Sequence, residues 1–265
     1  MLVLIRGAGD LATGVAVRLL RAGMTVALCD LAQPTAIRRT VAFSEAIRLG
    51  QTTVEGIAAR RAGSPQEALS LLSSGLVPVL CDEQARCIPA LAPDVLVDAI
   101  LAKRNLGTRI DMAPIVVALG PGFTAGVDAH AVVETMRGHD LGRVYYAGSA
   151  LSNTGVPGEI GGQSEKRVLR APADGPFLPL RAIGDAVAPG ETVATVGSVP
   201  MRTEIGGVLR GILPAGLCVT RGFKCADVDP RCRRAHCYSI SDKARALGGG
   251  VLEAILHLQN GRDAR

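Results

Sequence analysis

Short apolar runs that stop at a polar residue recur through the first part of the chain: Leu2–Arg6, Thr25–Asp30, Val77–Cys81, Val95–Asp98 and Ile115–Leu119. Runs of this length without polar alternation read as strands buried on both faces. Between several of them the apolar positions change to helical spacing. That spacing predicts helices over Thr13–Ala22, over Pro34–Leu49 with proline in the first turn, and over Pro65–Ser73 with Ser64 as N-cap. Strands alternating with helices predict a parallel sheet covered on both faces, a Rossmann-like α/β domain over residues 1–165.

From Arg167 the helical period disappears and Gly, Pro and Val dominate. Gly175, Gly184, Val187, Gly190, Ala194 and Val196 recur 32 residues later as Gly207, Gly216, Val219, Gly222, Ala226 and Val228. Glycines at fixed offsets serve tight turns between short strands, so residues 166–230 read as two similar β-halves folded onto each other. Residues 231–265 read as a basic segment followed by a helix over Ser241–Leu258. Its central Gly248-Gly249-Gly250 costs about 1 kcal/mol per glycine relative to alanine.

The 265 residues suffice for more than one core, built from small aliphatic side chains: there is no Trp, three Tyr and four Phe. The formal charge is +5, and seven basic residues face three acidic ones between Arg221 and Arg245. Only Phe223 and Tyr238 could stack on bases there, so no nucleic-acid partner is expected. The segment reads as a solvated basic face or a small-polyanion site. No apolar run approaches the roughly eighteen residues of a membrane span, and Met1-Leu2-Val3 opens a strand directly, so no membrane association and a cytoplasmic location are expected. Seven scattered cysteines read as reduced thiols.

The chemistry concentrates at strand ends. Gly7-x-Gly9-x-x-Ala12 between a strand and a helix fits the dinucleotide fingerprint, in which glycines let the backbone approach a pyrophosphate and the helix N-terminus supplies N–H groups. Asp30 stands where the acidic partner belongs. The candidate binding residues are Gly7, Gly9, Asp10, Ala12, Thr13, Gly14 and Asp30, joined by Gly120 and Gly122 of a second glycine turn. Asp10 would repel phosphate unless it points away. Gly9 to Gly14 also has phosphate-loop spacing, but Val15-Ala16 stand where Lys-Ser/Thr is required. Other strand ends present Cys81-Asp82-Glu83 and Asp98 followed by Lys103 and Asn105. His130 and Glu134, four apart, would share a helix face as an ordinary ion pair, an acid/base pair or part of a metal site. Cys225, Cys232, His236 and Cys237 are four soft ligands whose spacing matches no zinc motif, and no metal site is assigned.

Residues 166–230 resemble the biotinyl/lipoyl-type barrel-sandwich, or hammerhead, through "GDAVAPGETVATV" and "MRTEIGGVLRGIL". The carrier lysine is missing from the hairpin tip at Gly197–Met201, which leaves a structural or docking module. Across nearly the whole chain, "RGAGDLATGVAVRL", "VDAILAKRNLGT", "ALGPGFTAGVDAHAVVETMRGHDLGRV" and "SDKARALGGGVLEAIL" resemble the selenium-dependent molybdenum hydroxylase accessory family, also called molybdenum cofactor biosynthesis proteins. The resemblance implies a maturation factor that binds a molybdopterin-type cofactor or a dinucleotide and docks onto a molybdenum hydroxylase apo-enzyme. It assigns no catalytic residue. The alternative is an NAD(P)-dependent oxidoreductase acting on a small substrate, with His130 or His139 as acid/base.

Overall fold

A computed structural model describes residues 1–263. The chain divides into two units. The first comprises Met1–Pro34, Ala42–Thr154 and the chain from Ile240 onward; the second comprises Thr35–Val41 and Gly155–Ser239.

The first unit is built on β1 (Leu2–Arg6), α1 (Asp10–Arg21), β2 (Thr25–Asp30), α2 (Glu45–Leu49), β3 (Gln51–Val54), β4 (Ile57–Ala62), α3 (Pro65–Ser73) and β5 (Val77–Cys81). It continues with α4 (Ile88–Leu91), β6 (Val95–Asp98), β7 (Ile115–Leu119), β8 (Thr124–Ala125), β9 (Ala131–Val133), β10 (Val144–Tyr145), β11 (Gly148–Ser149) and α5 (Asp242–Asp263). Nine strands form one sheet in the order β10-β9-β7-β6-β1-β2-β5-β4-β3. The five apolar runs all form strands of its parallel middle, where Leu4, Ile5, Leu28, Leu96 and Val117 are fully buried.

The sheet nevertheless departs from the expected Rossmann-like arrangement. It is mixed: β3 and β4 form an antiparallel hairpin at one edge, and β10 runs antiparallel to β9 at the other. No helix connects β6 to β7 or β7 to β9. The stretch between β6 and β7 forms an irregular loop instead, with Leu101, Lys103 and Gly107 at positive φ and the Leu106 carbonyl held by Arg6.

One helix also differs from expectation. In place of one helix over Pro34–Leu49 there is a 3-10 turn at Arg39–Val41, followed by the short α2. Arg38 donates to the carbonyls of His236 and Ser239, and Arg39 to that of Ile212, so tertiary hydrogen bonds outweigh local helix propensity. By contrast, α3 starts where its cap predicts, with the Ser64 hydroxyl accepting the Glu67 N–H at 3.1 Å. The glycines of α5 do not interrupt it. A Cβ on Gly250 would lie 2.4 Å from the Gly142 oxygen, and one on Gly14 of α1 would lie 2.5 Å from the Ala244 Cβ, so bare backbone lets α5 approach its neighbours closely.

The second unit contains β12 (Val168–Arg170), β13 (Gly175–Pro179), β14 (Ala186–Val187), β15 (Thr192–Val196), β16 (Val199–Arg202), β17 (Gly207–Ile212), β18 (Cys218–Val219) and β19 (Lys224–Asp229). They form two four-stranded antiparallel sheets, β12-β19-β17-β14 and β16-β15-β13-β18. The 32-residue repeat is visible in them. β13, β14 and β15 correspond to β17, β18 and β19, and the middle strand of each half pairs into the other half's sheet. This exchange buries Phe177, Val193, Leu209, Ile212 and Val228 in one core. Among the described residues no helix is long and apolar enough to cross a membrane.

Candidate functional site

In the parallel part of the first unit the chain moves from β1 to β2 on one side and later crosses to β6 on the other. The carboxyl ends of β1 and β6 therefore flank the point where open α/β sheets bind ligands. The sequence supplies polar residues there because each apolar run ends in one: Arg6 closes β1, Asp30 closes β2 and Asp98 closes β6.

Arg6 and Asp98 are 5% and 1% exposed. Their charges lie 3.9 Å apart, joined through Thr108: the Arg6 Nη1 donates to the Thr108 hydroxyl at 2.9 Å, which donates to Asp98 Oδ2 at 2.6 Å. The other end of the Arg6 guanidinium donates to the carbonyls of Glu83 and Leu106. Burial holds the Asp98 carboxyl above the ordinary carboxylate range, against the Thr108 hydroxyl, the Ile100 N–H and Arg6.

These bonds fix the loop that follows β6. Asn105 accepts the N–H groups of Gly107 and Thr108 and donates to the Thr108 carbonyl and to Asp128. Within this pinned loop Leu101 and Lys103 have φ of 61° and 63°, left-handed conformations that side chains disfavour. Such strain persists where surrounding structure over-determines it, typically at ligand sites. Lys103 and Arg104 are exposed on this loop.

The candidate residues of the glycine turn make close contacts within the protein. A Cβ on Gly7, φ 103°, would lie 2.7 Å from the Ala99 oxygen. The Ala8 N–H donates to Asp30 Oδ2 at 2.7 Å, and the Ala8 carbonyl accepts from Ser44 N–H and from the Thr13 hydroxyl. That hydroxyl also accepts the Phe43 N–H at 2.8 Å. Ala12 and Thr13 are buried, and Gly14 faces Ala244. Gly9 and Asp10 begin α1 half-exposed, with no side chain capping the helix at Gly9. Gly120 and Gly122 lie on the second turn at the end of β7, where a Cβ on Gly122 would meet the Arg104 Cα at 2.5 Å. Gly122 thus locates the strained loop.

Sequence reasoning marked Lys103 and Asn105 but missed Arg6, Leu101, Arg104 and Thr108. A charged residue closing an otherwise apolar strand was the available signal for Arg6; nothing local marks Thr108.

The other motifs disperse. His130 and Glu134 flank β9, which is a strand because Val132 and Val133 pair beside β7. His130 Nδ1 accepts the Val116 N–H, and the fully buried Glu134 accepts the N–H groups of Met136 and Leu151. The two side chains therefore do not form a helix-face acid/base pair, and His139 is exposed. Cys225 and Cys237 are buried while Cys232 is exposed. Burial pushes the Cys225 thiol up to about 11. Among the described residues no three His, Cys, Asp or Glu side chains converge to hold a metal ion.

No family model matches the chain. It is 52% identical over 259 residues to the Uncharacterized protein YqeB of Escherichia coli (strain K12), a match covering 98% of this chain and 48% of that protein. The chain thus spans about half the length of the curated relative it matches. Among solved structures it is similar to an aspartoacylase family protein from Mesorhizobium loti MAFF303099, with 13% identity, a TM-score of 0.27, and coverage of 86% of this chain and 83% of that one. It is also similar to a succinylglutamate desuccinylase/aspartoacylase from Rhodobacter sphaeroides, with 18% identity, a TM-score of 0.25, and coverage of 86% and 84%.

These findings overturn the family reading. The relative is described as uncharacterized, and that description supports none of selenium-dependent molybdenum hydroxylase maturation, a molybdopterin-type cofactor or an NAD(P)-dependent oxidoreductase. The fold class is corrected as well, on the chain's own topology: a mixed α/β architecture, antiparallel at both edges of the large sheet, replaces the Rossmann-like sheet followed by a barrel-sandwich. At these TM-scores the likeness gives this chain no activity.

Proposed function

We propose that the first unit binds a small anionic molecule over the carboxyl ends of β1, β6 and β7. The observation that carries this reading is the pair of left-handed residues, Leu101 and Lys103, in a loop pinned from several sides. A loop held in this conformation presents Lys103 and Arg104 in a fixed arrangement, as a preorganised site does. Nearby carboxylates are engaged by the protein itself. Asp98 is matched by Arg6, and Asp30 and Asp82 accept backbone N–H groups. The uncapped start of α1, with Gly9 and Asp10 half-exposed, adds N–H groups and a positive dipole end.

Calorimetry of the full chain with succinate, phosphate and pyrophosphate tests this. Lys103→Ala/Arg104→Ala is expected to weaken the best-bound anion by about tenfold or more, two charge-assisted hydrogen bonds being removed. Anion binding that is unchanged in that variant would refute the reading. The seven cysteines, present as free thiols, support a reducing compartment such as the cytoplasm.

A further inference from the structure

The second unit contains a separate set of cations. At its centre lie Asp227 and Asp229, each 1% exposed, with Arg167 and Arg210 at 7%. Arg167 pairs with Asp227 Oδ1, and Arg210 pairs with Asp227 Oδ2 while its Nη1 lies 3.6 Å from Asp229. Arg231 then grips Asp229 with both ends of its guanidinium, at 2.9 Å and 2.7 Å, and its main-chain N–H donates to the same carboxylate. The buried acids are thereby occupied.

Further basic side chains stand beyond them. His236 Nδ1 lies 3.9 Å from Asp229 Oδ2; it is buried and has no hydrogen-bond partner. A buried polar atom left over in this way calls for an unseen partner. Arg233 and Arg234 are exposed in the same turn, and among the described residues no acidic side chain pairs with either. Arg234 adjoins the exposed Tyr238: a Cβ on Gly184 would lie 3.1 Å from the Arg234 Nε and 2.5 Å from the Tyr238 hydroxyl.

The backbone presenting these groups is rigidly held. Arg38 donates to the carbonyls of His236 and Ser239, the Thr40 hydroxyl to that of Cys237, and the Tyr238 hydroxyl to that of Ile183. Cys232, between Arg231 and Arg233, has φ of 56°, again a left-handed side-chain residue in a cationic loop. Like charges concentrated on a fixed turn repel one another, and an oxyanion relieves that repulsion beside the part-exposed His236 imidazole.

We propose that Arg233, Arg234 and His236 form a site for the phosphate group of a small molecule, independent of the site in the first unit. The site takes a phosphate rather than a planar carboxylate because donors on three side chains of one turn match an anion with several oxygens.

The test uses the full chain carrying Lys103→Ala/Arg104→Ala, so that anion binding in the first unit does not contribute and the two readings fail separately. Calorimetry with pyrophosphate at low salt is the measurement, supported by ³¹P line broadening. Binding is expected in this background, weakened about tenfold or more by adding Arg233→Gln/Arg234→Gln and within about twofold after Arg170→Gln/Arg202→Gln, which removes the same charge elsewhere in the unit. His236→Gln, a single exchange at a partly exposed position, is expected to weaken binding by about threefold or more and supplies a second reading should the double variant fail to fold. No pyrophosphate binding, or equal weakening by both double variants, overturns the proposal. So does binding of a single-stranded RNA about a hundredfold tighter than pyrophosphate, which would make the turn a nucleic-acid surface.

Discussion

The main-chain N–H of Ala8 donates to Asp30 Oδ2 at 2.7 Å, while Asp30 Oδ1 accepts the N–H of Leu31, also at 2.7 Å. Asp30, the acidic residue of the fingerprint, closes the glycine turn against the end of β2. Burial raises its carboxyl above the ordinary value, against these two N–H groups. The folded chain therefore holds the proton more tightly than the unfolded one. The resulting stability is present below the unfolded value of about 3.9 and is lost as pH rises through the folded value.

Asp30→Asn removes that titration and leaves one acceptor for two N–H groups, at a cost of about 1 kcal/mol. The stability gap between wild type and variant is expected to narrow as pH rises from about 4 to 7 in urea unfolding. A gap that widens over that range contradicts the assignment.

Glu55 behaves in the opposite sense. It accepts the Ile240 N–H at 3.0 Å and pairs with Arg245 at 2.8 Å and Arg21 at 3.2 Å, linking the β3–β4 turn to both α1 and the entry to α5. Burial opposes ionisation, but these donors together hold the carboxyl below its ordinary value. Its contribution is present above the unfolded value of about 4.3 and is lost as pH falls through the folded one. Glu55→Gln is expected to cost about 1 kcal/mol near neutrality and less in acid, because the arginines are half-exposed and screened. An equal cost at both ends of the range would remove the ion pairs from the explanation.

Adjacent glycines of α5 provide a contrast. A Cβ on Gly249 meets nothing within 4 Å, whereas one on Gly250 would lie 2.4 Å from the Gly142 oxygen and 2.8 Å from Val133. Gly249→Ala is expected to stabilise the chain by about 0.5–1 kcal/mol through helix propensity, and Gly250→Ala to destabilise it by about 1–3 kcal/mol through overpacking. Thermal unfolding of the two variants decides whether their signs differ.

Lys103 supplies a test of strain separated from charge. Glycine relieves a left-handed penalty of about 1 kcal/mol but adds a similar unfolded-state entropy, so Lys103→Gly is expected to change stability by less than about 0.5 kcal/mol. Lys103→Val, β-branched at positive φ, should cost more than about 1 kcal/mol. Both should weaken anion binding, and retained affinity in either would detach Lys103 from the site.

The sequence alone determined the five central strands, the Ser64-capped α3 and the 32-residue repeat. Each is a local pattern of burial, capping or turn chemistry that neighbouring residues impose. It also placed polar residues at the strand ends, among them Asp30, Lys103 and Asn105. Tertiary structure decided the rest. Arg38 and Arg39 find carbonyls nearly two hundred positions away and dissolve a predicted helix, while Val132 and Val133 join β7 and turn a helix face into a strand. The glycines of the two turns admit Ala99, Arg104 and Ala244, a close packing that no local pattern announces. A glycine records only that something approaches closely, and whether that is ligand or protein depends on which distant backbone the fold brings there.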